Sequence, residues 1–179
     1  MYKAIFIALL IFLGLGSCEK NNEIYPECLD QFGDFEPVNK PGKGQVEFIF
    51  YENSDLAVNE DDGRVYFEKV PGDRFVFRYQ FTGDEDPNIA DDEYSEVIWF
   101  AVDPKGDSFD IYPDEFENSG ALFGRMCFCV DGGFHWIKKG CIHGRLVGEG
   151  KWEVSIAIQS ETNHDTYTRM IRGDFLASL

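Results

Sequence analysis

The strongest constraint in this sequence is a period of two. In Arg74–Phe81, Phe75, Phe77, Tyr79 and Phe81 alternate with Arg74, Val76, Arg78 and Gln80. In Lys151–Gln159, Trp152, Val154, Ile156 and Ile158 alternate with Lys151, Glu153, Ser155 and Ala157. Successive side chains of a strand point to opposite faces, so each run makes a half-buried strand. Val46, Phe48 and Phe50 share one face of an earlier strand, and Val65 and Phe67 one face of the next. Val97–Val102 is apolar on both faces, which predicts a central strand. Leu122–Val130, Phe134–Ile137, Cys141–Val147 and Tyr167–Ala177 complete roughly nine strands.

Turn chemistry punctuates these runs. Asp62-Gly63 suits positive φ, and Pro71-Gly72 supplies the two central residues of a type II turn, so residues 65–81 are expected to form a hairpin. Asp131-Gly132-Gly133 and Lys138-Lys139-Gly140 read as two further turns. No amphipathic helix of useful length appears, so the class is all-β with antiparallel neighbours. The expected architecture is an antiparallel two-sheet β-sandwich, with a closed lipocalin-like barrel as the alternative. The chain contains 17 Phe, 8 Tyr and 3 Trp, enough rings to fill a sheet-based core.

The first residues have a different logic. Lys3 precedes Ala4–Leu13, an unbroken apolar run, and Gly14, Gly16 and Ser17 are small. That is the layout of a secretory signal. The run falls short of the about 20 residues a bilayer span needs. Leu15-Gly16-Ser17-Cys18 resembles the lipobox of bacterial lipoproteins position by position. The resemblance implies cleavage before Cys18, lipidation of its thiol and several acyl chains on the mature terminus, a durable anchor. Glu19 stands where Asp would mark inner-membrane retention, so the resemblance implies the outer membrane. Residues 1–17 are then the signal peptide. Residues 18–44, broken by Pro26, Pro37 and Pro41, form a tether partly docked on the domain, and residues 45–179 form a single β domain.

Charge narrows the partners. The net charge is −17, and all but six of the 33 acidic residues precede residue 121. This argues against nucleic acid and anionic lipid. The densest run suggests one metal site: Asp84, Asp86, Asn88 and Asp92 alternate hard oxygens as a calcium loop begins. Ile89 sits where such a loop wants Gly, and a bare solvated loop is the other reading. Cys127, Cys129, Cys141 and His143 form a possible zinc or copper(I) set.

Four cysteines remain after Cys18 is set aside, and an oxidising envelope favours disulfides over metal. Cys127 and Cys129 are not expected to bond to each other, since two positions along an extended strand put their Cα atoms about 6.6 Å apart. Cys28 is then expected on one of them and Cys141 on the other, with a single bridge and two free thiols as the alternative. No nucleophile elbow, metalloprotease helix or phosphate loop is present, and no catalytic residue is singled out. Trp99, Trp136 and Trp152 sit in alternating strands as expected core residues, able to stack on sugars only if exposed. The function expected is a lipid-anchored cell-envelope binding module, not an enzyme, with a glycan or an envelope protein as partner. The rivals are a glycosidase-like hydrolase with an acidic site, and a metal-binding envelope protein.

Overall fold

The structure, a computed structural model, describes residues 41–84, 93–103, 105–162 and 164–178. Among the described residues nine strands are present: β1 Gly44–Asp61, β2 Arg64–Pro71, β3 Arg74–Gly83, β4 Ser95–Val102, β5 Ser108–Ile111, β6 Leu122–Met126, β7 Gly133–Gly148, β8 Lys151–Glu161 and β9 Thr166–Ala177. The all-β class expected from the alternation is what forms.

The expected division into two sheets does not appear. All nine strands belong to one sheet. From β1 the ladder passes through β3, β4, β6, β7, β8 and β9 by six antiparallel pairings. It then returns to β1 by a parallel one, Ile49↔Leu176 and Phe50↔Ala177. The parallel step corrects the all-antiparallel expectation, and its cause is parity. Six reversals bring β9 back to the direction of β1, so a circuit of seven strands closes only with one parallel contact. Closure removes the free edges that an open sheet must protect.

The predicted hairpin at residues 65–81 is also replaced. The hairpin turn is at Asp62-Gly63, whose φ values of 48° and 71° match the left-handed pair of a tight two-residue turn. β2 returns along β1 from Asp61↔Arg64 to Ser54↔Pro71, and β3 continues along the same strand from Ser54↔Arg74 to Gly44↔Gly83. Pro71-Gly72 is thus a joint between collinear strands. It lies opposite an irregularity at Asn53, whose carbonyl accepts the Gly72 N–H at 3.1 Å. Lys138–Gly140 is not a turn either. β7 runs straight through it with a register shift, and Gly140, at φ 117°, passes so close to β8 that a Cβ would lie 2.0 Å from the Ala157 carbonyl oxygen. Predicted strand Leu122–Val130 stops at Met126.

The interior of the circuit is filled by the faces the alternation identified. Phe50, Phe77, Tyr79, Phe100, Phe123, Ile156, Ile171 and Phe175 are all buried there. Phe77 is the hub, with ring centroids of Phe50, Phe100, Phe109 and Phe175 within 5.1–5.5 Å. Tyr112–Gly120 caps one end by inserting Phe116. A second, outer cluster forms where Leu56, Val58, Tyr51 and Phe67 cover Val76, Trp99 and Ala101, which explains why β4 is apolar on both faces. Arg74 anchors that arm: its guanidinium donates to Asp55, and its Nη1 donates to the Asn118 carbonyl at 2.9 Å.

Two outcomes are expected. Phe77→Ala removes the most connected ring of the core and should cost about 3–5 kcal/mol in urea unfolding. The hydrogen bond from Arg74 holds the Asp55 carboxyl below its ordinary pKa. A lowered folded-state pKa stabilises above the unfolded value and loses that contribution as pH falls through the folded one. Asp55→Asn should therefore lower the melting temperature at neutral pH, with the gap to wild type closing as pH drops below the ordinary carboxylate range. A gap independent of pH would show that the ion pair contributes nothing.

Candidate functional site

The residues singled out in the sequence do not converge. Cys18, Cys28, Asp86, Asn88 and Asp92 lie outside the described residues. Asp84 directly follows β3 and donates its N–H to the Lys43 carbonyl. The zinc or copper set is dispersed. Cys127 and Cys129 follow the last residue of β6, near the start of β7, whereas Cys141 and His143 lie in its far half, opposite Ala157 and Ser155. Among the described residues no group of three or more metal-ligating side chains is present.

Cys127 and Cys129 instead form a disulfide with each other, Cα atoms 5.2 Å apart. This overturns the expectation that they would not pair. The 6.6 Å estimate assumed an extended strand, but the strand has ended and residues 127–130 bend. Cys141, buried on the outer side of β7, is disulfide-bonded as well. His143 Nδ1 lies 2.7 Å from Asp110 Oδ1, the cross-strand pair of β5 and β7.

The tryptophans separate into three environments. Trp152 is in the core and Trp99 is sandwiched between Tyr51 and Phe67. Trp136 is neither. It faces outward from β7 into a cleft of about 540 Å³ that it lines with Glu60, Pro113, Phe116, Glu117 and Lys138. Three parts of the chain build this cleft. Glu60 comes from the tip of the β1–β2 arm, Phe116 and Glu117 from the cap, and Trp136 and Lys138 from β7. The indole Nε1 donates to Glu60 Oε2 at 3.3 Å, which ties the ring to the β1–β2 arm. The volume lies in the range of small-ligand sites. An aromatic flank stacks on an apolar ligand face, while two carboxylates and an ammonium on the rim exchange hydrogen bonds with hydroxyls.

A second polar cluster lies inside the sheet. Glu96 is fully buried on the inner face of β4. Arg169 reaches it from β9, donating from Nε at 2.7 Å and from Nη2, and the Tyr94 hydroxyl also donates to it. Burial, reinforced by the Glu96 charge, raises the phenol pKa of Tyr79, and burial with the hydrogen bond to Glu96 raises that of Tyr94. Arg125 lies over the Tyr167 ring at 4.3 Å and donates to its hydroxyl. With both oxygens of Glu96 engaged and no solvent contact, this carboxylate is a structural charge and not an acid or base for a substrate.

No protein-family profile, curated protein sequence or solved structure matches this chain.

Because burial leaves a broken pair uncompensated, Glu96→Ala should destabilise by about 3–5 kcal/mol, and the pair variant Glu96→Leu with Arg169→Met should recover much of that loss. Chemical denaturation of the wild type and both variants decides it. A double variant as unstable as the single one would show that the ion pair itself, and not merely its completeness, holds this region.

Proposed function

We propose that this protein is a lipid-anchored glycan-binding module of the bacterial cell envelope, held in the outer membrane through Cys18. The observation that carries the ligand assignment is the Trp136 cleft. An indole tied to Glu60 and flanked by Glu117 and Lys138 matches the needs of a sugar ring: an apolar face to stack on and charged groups for its hydroxyls. The anchor assignment rests on the lipobox-like Leu15–Cys18. A hydrolase is the second reading, favoured by one feature: Glu60 and Glu117 share that cleft, and glycosidases use carboxylate pairs.

A glycan screen tests both. Trp136→Ala should reduce retention of the bound glycan tenfold or more, at about 1.4 kcal/mol per decade. Glu60→Gln and Glu117→Gln should weaken binding moderately and leave no hydrolysis to lose. Glycan cleavage by the wild type that either substitution abolishes would replace the binding module with the enzyme.

The cysteines give an independent test of the anchor. A thioether at Cys18 removes it from disulfide chemistry, and Cys127 and Cys129 engage each other. Among the five cysteines that leaves Cys28 as the partner of Cys141. Non-reducing peptide mapping of the mature protein should find the Cys28–Cys141 bridge, and Cys28→Ser should expose one free thiol. A bridge from Cys18 to Cys141 would exclude lipidation at that thiol.

A further inference from the structure

The disulfide-closed loop after β6 presents an apolar surface that neither the fold nor the cleft uses. Phe128 is 91% exposed, Val130 84% and Met126 45%. The bond between Cys127 and Cys129 and the Gly132 N–H donated to the Cys129 carbonyl at 3.2 Å hold this loop in shape. Three apolar side chains grouped on one covalently clamped loop make an exposed patch of the kind that marks an interaction surface, which a lone exposed ring would not.

The position of the loop says which surface it meets. Gly44 pairs with Gly83, Thr82 with Ser95, and Ser95 with Met126. The start of β1, the end of β3, the start of β4 and the end of β6 therefore share one end of the closed sheet. The chain before β1 enters at the end where Phe128 projects, opposite the Phe116 cap. We propose that Phe128 and Val130 insert into the interfacial region of the bilayer that anchors the chain. The proposal rests on the lipoprotein reading. Under it, with Cys28 bridged to Cys141, the stretch from Cys28 back to Cys18 reaches up to about 35 Å, while Cys141 lies about 26 Å along β7 from Gly133 at this end, so this end can meet the membrane. The disulfide has already removed the conformational freedom that insertion would otherwise cost. The rim is net acidic: Asp84, Glu93 and Asp131 stand at this end against Lys43, and Arg125 is engaged with Tyr167. The matching surface is thus a zwitterionic headgroup layer, with no attraction to anionic lipid.

The test uses the full chain as a bacterial host processes it, reconstituted into phosphatidylcholine vesicles containing brominated acyl chains. Phe128→Trp should show about twofold or more quenching over the three native tryptophans, because an indole favours the headgroup level. Anionic lipid should add nothing. Quenching equal to wild type overturns the proposal. So does a blue shift of the introduced indole that follows protein concentration without lipid, since a second copy then covers the loop. Intact mass separates this from the anchor: a chain without acyl groups that still quenches at high lipid keeps the loop assignment and loses the lipoprotein reading. A chain without acyl groups or quenching loses both.

Discussion

Closure of the ladder between β1 and β9 is the constraint on which the rest depends. Only two residue pairs make that contact, yet it converts a meander into a circuit. It brings the apolar faces of β1, β3, β4, β8 and β9 around a common interior. Phe77 on β3 can then meet Phe50 on β1, Phe100 on β4 and Phe175 on β9 at once. Phe50 and Phe100 are direct cross-strand partners of Phe77, but in an open sheet β9 would lie several ladder spacings of about 4.8 Å from β3, and Phe175 would be beyond the reach of aromatic contact. Hydrogen bonding of two terminal strands and packing of one ring are therefore two expressions of the same geometry.

Closure also explains why the interior is not uniformly apolar. The cap end is sealed by Phe116, but toward the other end β4 and β9 bring Glu96 and Arg169 together. An unpaired charge there would be intolerable, so each group requires the other and the tyrosines around them. Such a pair is weak evidence of stability and better evidence of specificity. A one-residue slip of β4 would turn Glu96 outward and leave Arg169 alone inside, so the pair penalises a wrong register.

Much of the fold was legible in the residues, and its closure was not. Period two located the inner faces of β3 and β8, and Asp62-Gly63 located its turn, because these are local properties of the chain. Pro71-Gly72 misled because the same dipeptide serves a reversal or a joint, and only the partner strand decides. The sheet count failed for a similar reason: pairing of β1 with β9 joins residues over a hundred positions apart. The cleft was hidden by assembly from three segments. Trp136 alternates as a buried residue would, and nothing local reveals that Glu60 and the cap stop short of covering it. The cysteine spacing misled because the extended geometry was assumed to continue past Met126.

The two kinds of disulfide do different physical work. A bridge stabilises chiefly by restricting the unfolded chain, and the effect grows with the logarithm of the loop it closes. Between Cys127 and Cys129 that loop is minimal, worth on the order of 1.5 kcal/mol on the chain-entropy model, against nearly 5 for a loop of about a hundred residues. Global stability is thus a poor reason for the short bridge, and the bond of Cys141 to a cysteine outside the described residues is the one suited to that role. What the short bridge does is local. It holds Phe128 away from the sheet at the end where the chain enters, on the side opposite the Phe116 cap. A binding module tethered by its N-terminus gains from that polarity. Under the proposed reading, one end would meet the membrane that anchors the chain, and the cleft formed with the cap would stay open to a glycan.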